Sequence, residues 1–244
     1  MVQTWKPNKW DLGISLLIAA AFPVLVSFLY STTGAFIPMV IYYGLAWGIS
    51  KWRRGKTGYF NPMPKKIPQF FIINVFVIVL TLIAAFFARP AEIFPFSSGA
   101  LITGLIWAPI NAASEQLLWI YIFESWDLFP LKLQTDSVAE LNNNNKMSYK
   151  KLKNNILLFR IIGIILFSLF VGTIHSMYWS KFLTTVNDSS VWGIIFILLT
   201  TVSGYLHIAV WRESKQMIFT FIPHFMLNLF PLFWTGYSMV PYLF

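Results

Sequence analysis

Seven apolar runs, most about twenty residues long, follow one another along this chain. They lie at about 12–30, from Gly34 to Ser50, and at about 69–88, 97–123, 156–178, 190–210 and 215–230, with polar punctuation between them. A hydrocarbon layer roughly 30 Å thick needs about 20 helical residues per crossing, so each run is matched to one passage through a bilayer. Only 11% of the 244 residues are charged and 57% are hydrophobic, too little charge for a soluble domain of this size. The expectation is an all-α polytopic membrane protein, one membrane domain over 1–244. About eight transmembrane helices are expected, the last one short because Pro231 to Phe244 is too brief to cross unaided.

Charge sets the expected orientation, because Lys and Arg accumulate on the cytoplasmic side. With alternating crossings, sixteen basic residues fall on the side of the N-terminus, including six in the basic loop KWRRGKTGYFNPMPKK at 51–66, and only Arg89 and Lys181 fall on the other. The N-terminus is therefore expected in the cytoplasm, with the plasma membrane of a prokaryote as the expected location. The net charge of +9 reads as this topology signal plus attraction to anionic lipid, and no nucleic-acid motif accompanies it. Trp5, Trp10, Trp47, Trp52, Trp126, Trp179, Trp192 and Trp211 sit near expected span ends and read as an interfacial aromatic belt.

With no cysteine, neither a disulfide framework nor a thiol nucleophile is available. The segment 124–155, with its asparagine run, reads as a polar cytoplasmic insertion. Pro23 is expected to bend the first helix.

Against this apolar background a few polar side chains stand out: Glu115 in APINAASEQLLWIYIF, His175 in LFVGTIHSMYW, and His224 with Asn228 in FIPHFMLNLF. An acid at the bilayer centre costs about 2.5–3.5 kcal/mol on insertion scales, so several such groups in one chain point to use. Glu115 lies roughly 13 Å from the charged end of its helix, deep enough for a carboxyl to act as general base on water, and Asn111 shares its face one turn back. His224 and Asn228, four apart, project from one face and suit a developing oxyanion. By depth, Glu115 and His224 match at roughly 13 Å, whereas His175 comes out near 22 Å from Arg160, which leaves His207 as a competing candidate. Each group also has a structural reading as interhelical polar glue.

The order of acid, His, then H-x-x-x-N on successive spans resembles the CPBP family of intramembrane proteases, also called the ABI or type II CAAX prenyl protease family. The family's motifs are E-E-x-x-x-R, F-x-x-x-H and H-x-x-x-N, and the resemblance covers about 97–230. It is most specific in GYLHIAVWRESKQMIFTFIPHFMLNLF, through Arg212 and the His224/Asn228 spacing. Gln116 replaces the second acid, Ile120 the arginine, and Val171 stands four before His175. The resemblance implies a four-helix core at 97–230 with Glu115, His175, His224 and Asn228 as catalytic residues. It also implies a Glu-dependent endopeptidase that cuts a membrane-associated peptide, prenylated CAAX-type tails included. Gln116 and Ile120 keep open a catalytically impaired member acting as a membrane scaffold, immunity or regulatory protein. Two imidazoles and a carboxylate can also hold zinc, but Asn228 beside His224 fits an oxyanion better, and no cofactor is expected. The expected partners are the lipid bilayer and a peptide or protein substrate.

Overall fold

The computed structural model describes residues 5–88, 97–131, 149–183 and 189–244, with the side chains of 149–153 not described. In chain order the helices are α1 (Lys9–Thr33), α2 (Phe36–Arg54), α3 (Gln69–Ala88), α4 (Ser98–Ile102), α5 (Ala108–Asp127), α6 (Tyr149–Met177), α7 (Val191–Ser214), α8 (Ile218–Leu229) and the short α9 (Leu232–Thr235). No strand occurs among the described residues, and five stretches are long and apolar enough to cross a membrane: Lys9–Thr33, Gln69–Ala88, Asn154–Lys181, Val191–Ser214 and Ile218–Thr235. The chain is an all-α integral membrane protein.

Local chemistry fixes the ends of these helices. Asn8 caps α1 by accepting from the Trp10 and Asp11 amides, while the Asp11 carboxylate accepts from the Asn8 amide at 2.7 Å, a reciprocal capping box. The helix continues through the buried Pro23 and stops at Gly34, whose φ of 68° is left-handed. A Cβ there would meet the Leu243 carbonyl oxygen at 2.7 Å, so only glycine fits. Glu213, near the end of α7, accepts the Gln69 and Phe70 amides at 2.9 and 3.0 Å and so satisfies the first donors of α3.

α5 is the central element. Of its 20 residues 16 are buried, among them Glu115, Gln116 and Ile120, so it presents no solvent or lipid face of any width. It packs against α1, α2, α6, α7 and α8. It is reached from α4 through a π-helical turn, Thr103–Trp107, in which the Ala108 amide donates to the Thr103 carbonyl. Pro109 explains the widened turn, since its ring crowds the carbonyl four residues back and it has no N–H to donate.

The two ends of the bundle differ in chemistry. At one end three buried acids gather bases from separate elements: Asp11 holds Arg53, Glu124 holds Arg54 and Lys215, and Asp127 holds Arg160 and Arg212, at 2.6–3.6 Å. Sequence alone assigned 124–131 to a polar insertion; instead Glu124 and Asp127 are buried within α5, because each is charge-paired, and helix resumes at Tyr149. The asparagine run itself lies outside the described residues. The basic loop after α2 is docked here, with the Asn61 side chain donating to the Lys215 carbonyl and Gln216 Nε2 to the Asn61 carbonyl at 2.6 Å. At the opposite end, the Ala35 and Phe36 amides donate to the Tyr242 and Leu243 carbonyls at 2.8 and 3.1 Å, closing the α1–α2 turn with the C-terminal tail.

Candidate active site

Glu115 and His224 meet. Their helices α5 and α8 pack together, and His224 Nε2 lies 3.3 Å from Glu115 Oε2, with both side chains buried. The same carboxyl oxygen accepts from Asn111 Nδ2 at 3.3 Å, as the i, i+4 spacing requires, and Asn111 Oδ1 in turn accepts from the Tyr43 hydroxyl of α2 at 2.9 Å. Glu115 Oε1 accepts from the indole of Trp179 at 2.9 Å. The carboxylate is thus held by donors from α5, α8 and the turn after α6, which fixes its plane and orientation.

The second histidine of this site is His207, and His175 is not part of it. His207 is buried on α7, with its ring centroid 5.7 Å from that of His224 in an edge-to-face arrangement. Its Nδ1 lies 2.6 Å from the Ser203 carbonyl, which can only accept, so the proton sits on Nδ1 and orients the ring. Asn74 of α3 braces this position through Ser203, its Oδ1 accepting from the Ser203 hydroxyl at 2.8 Å. Trp119 stacks on His224 at 5.3 Å and stands edge-on to His207 at 6.1 Å, walling the two imidazoles together. His175 is half-buried near the end of α6, and its Nδ1 is committed to the Val171 carbonyl of its own helix at 2.7 Å. No hydrogen bond or ion pair joins it to Glu115, His224 or Asn228 among the described residues. The physical reason is the direction around the helix: Ile174, Tyr178 and Trp179 are buried in the bundle, whereas His175 turns toward the side of Gly172 and Ser176, which are exposed. The zinc trio of Glu115, His175 and His224 is not assembled for the same reason.

Asn228 stands one turn beyond His224 on α8, half-buried, with a buried Nδ2 that has no partner among the described residues. His224 Nδ1 and His207 Nε2 are buried and unpartnered in the same way. Gln116, at the position of the family's second acid, donates from Nε2 to the Thr220 carbonyl at 2.8 Å and ties α5 to α8. Ile120, at the position of the arginine, is fully buried in the apolar core.

Trp179 was the residue that sequence reasoning misplaced. As an apparent belt tryptophan after an apolar span it looks like an anchor, yet it is 1% exposed and its N–H faces the central carboxylate. Trp47, Trp126 and Trp211 likewise spend their indole N–H on Ser114, Ser15 and Glu124. Trp10 and Trp52, at 77% and 69% exposed, keep the anchoring role. Tyr59 in the docked loop lies against α5 close to Glu115: it stacks on Trp47 at 5.7 Å and donates to the Ala113 carbonyl at 2.8 Å, and burial pushes its phenol above the usual ionisation range.

Chemically, the arrangement offers a fixed carboxylate beside an imidazole, a second imidazole whose centroid is 5.7 Å from the first, and a free carboxamide donor one turn along from His224. It draws on α2 and α3 as well as the 97–230 core. Comparison with protein-family models, with curated proteins and with solved structures found no match.

Proposed function

We propose that this protein is an intramembrane endopeptidase in which Glu115 activates water against a peptide bond of a membrane-associated substrate, prenylated C-terminal tails included. The observation that carries the reading is the 3.3 Å contact of buried His224 with buried Glu115 at the centre of the helix bundle. Glu115 takes a proton from water, and the resulting hydroxide adds to the carbonyl carbon. The oxyanion so formed is met by Asn228 Nδ2–H and, in its protonated form, by His224 Nδ1–H. As the carbon–nitrogen bond breaks, the proton held by Glu115 passes to the leaving amine. His207, braced by Ser203 and Asn74, takes the assisting place that the family resemblance gave to His175. Zinc is not required by this scheme, and its partners are the bilayer and the peptide substrate. The sixteen-to-two distribution of basic residues supports an N-terminus in the cytoplasm of a prokaryotic plasma membrane.

The test is cleavage of a panel of fluorogenic lipidated peptides by the purified protein in liposomes. Wild type is expected to cut at least ~100-fold faster than Glu115→Gln, the scale of general acid–base contributions. Equal rates would remove the peptidase reading. Such a result would favour a non-catalytic membrane scaffold, immunity or regulatory protein. That second reading is supported by Gln116, which is used as a helix-to-helix tie at the place of the second acid.

A further inference from the structure

A second buried polar group, unrelated to Glu115, lies at the charged end. The Arg54 side chain at the end of α2 is only 4% exposed, and one nitrogen, Nη2, donates to Glu124 Oε2 at 3.1 Å. Its Nε and Nη1 are buried with no hydrogen-bond partner among the described residues. Five N–H donors in a fixed fork make guanidinium the side chain least suited to being left so. One turn back on the same helix face, the Ser50 hydroxyl is fully buried and also lacks a partner among the described residues. The Trp211 ring lies 4.8 Å from the Arg54 Cζ and closes one face of the guanidinium, leaving its in-plane edges as the directions of recognition.

The charge count points the same way. Glu124 carries one negative charge, yet it faces both Arg54 and Lys215, whose Nζ donates to Oε1 at 2.9 Å. Asp127 likewise faces both Arg160 and Arg212. In the same stretch of chain, Lys51, Lys56, Lys65 and Lys66 are exposed, and beside the last three in sequence stand the apolar side chains Phe60, Met63 and Ile67, 92%, 63% and 62% exposed. Lysines interleaved with exposed apolar groups match a surface that lies at the level of lipid headgroups.

We propose that Arg54 and Ser50 form an oxyanion-binding site that takes the phosphate of an anionic phospholipid at the charged end of the bundle. A phosphodiester supplies acceptors to Nε, Nη1 and the Ser50 hydroxyl, and its single negative charge balances the cation left over by Glu124. Exposed Lys56, Lys65 and Lys66 then face neighbouring headgroups. The site is independent of any hydrolysis at Glu115.

The experiment is thermal unfolding of the purified, detergent-solubilised protein titrated with phosphatidylglycerol, phosphatidylcholine or inorganic phosphate. Phosphatidylglycerol is expected to raise the unfolding temperature at a concentration at least ~10-fold lower than phosphatidylcholine, a ratio worth about 1.4 kcal/mol. Arg54→Lys, which keeps the charge and loses the fork, and Ser50→Ala, which keeps the packing, are each expected to abolish that preference. Ser50→Ala keeps the test decisive where Arg54→Lys does not fold. Stabilisation by inorganic phosphate that both variants abolish would assign the same site to a free anion. Retention of the preference in Ser50→Ala and in folded Arg54→Lys overturns the proposal. So does its loss only when Lys56, Lys65 and Lys66 are changed to Gln, which would mean diffuse surface attraction.

Discussion

Glu115 is defined by the three donors around it. The indole of Trp179, unlike the imidazole of His224, adds no charge and no proton of its own to the chemistry, so its removal isolates the effect of holding the carboxylate still. Trp179→Phe keeps most of the ring and loses the N–H. In the peptide-cleavage assay it is expected to lower kcat by about 10- to 100-fold with KM little changed, as loss of one charge-assisted hydrogen bond of roughly 1.5–3 kcal/mol implies. A rise in KM alone, with kcat unchanged, would contradict a positioning role. The two candidate histidines are separated in the same assay: His207→Ala is expected to lose about 100-fold or more, and His175→Ala to stay within about 2-fold of wild type. The reverse order would return the assisting role to His175.

At the scale of elements, helices were legible and contacts were not. Run length and polar punctuation located the helices, because lipid-facing surface forces hydrophobicity into runs whatever the packing inside; five of the expected runs are long and apolar enough to cross, α6 starts seven residues earlier than its apolar run, and the run at 97–123 is divided into α4, the π-turn and α5. The i, i+4 spacing also foresaw the Asn111–Glu115 bond, and equal depth foresaw the meeting of Glu115 with His224. What the sequence concealed was azimuth, the direction a side chain takes around its helix. Nothing in SMYWSKF distinguishes a tryptophan turned to the headgroups from one turned inward. Nothing in the 124–131 segment announces that Glu124 and Asp127 will meet Arg54, Lys215, Arg160 and Arg212 across four elements. Those pairs are testable as packing: Glu124→Gln leaves Arg54 and Lys215 without their carboxylate and is expected to cost about 3–5 kcal/mol of stability, read by thermal unfolding in detergent. A loss below ~1 kcal/mol would mean that water screens the cluster. At the α1–α2 turn, Gly34→Ala is expected to cost about 1–3 kcal/mol for its left-handed backbone, with more from the Leu243 carbonyl.

Among the described residues, charge pairs gather at one end of the molecule, apolar side chains dominate its circumference, and Glu115, His207 and His224 are enclosed in its interior. All described charge clusters lie at the end where α1 begins and α2, α5 and α7 finish, which makes sidedness directly measurable. Because the chain has no cysteine, single replacements label on a clean background. With a membrane-impermeant maleimide on intact cells, Ser31→Cys and Ser189→Cys are expected to react, and Lys56→Cys and Lys66→Cys only after lysis. The opposite pattern would invert the proposed topology. The tail that closes the far end has a further consequence, for the order of events during synthesis. Asp11 and Arg53 are made early and can find each other while the ribosome is still at work, but the first amides of α2 wait for carbonyls almost a full chain length downstream. At about 5–20 residues per second that wait is on the order of ten seconds or more. In the nascent protein the Asp11–Arg53 pair therefore precedes the Arg212 and Lys215 bridges, and the carbonyls that latch the α1–α2 hairpin arrive later still.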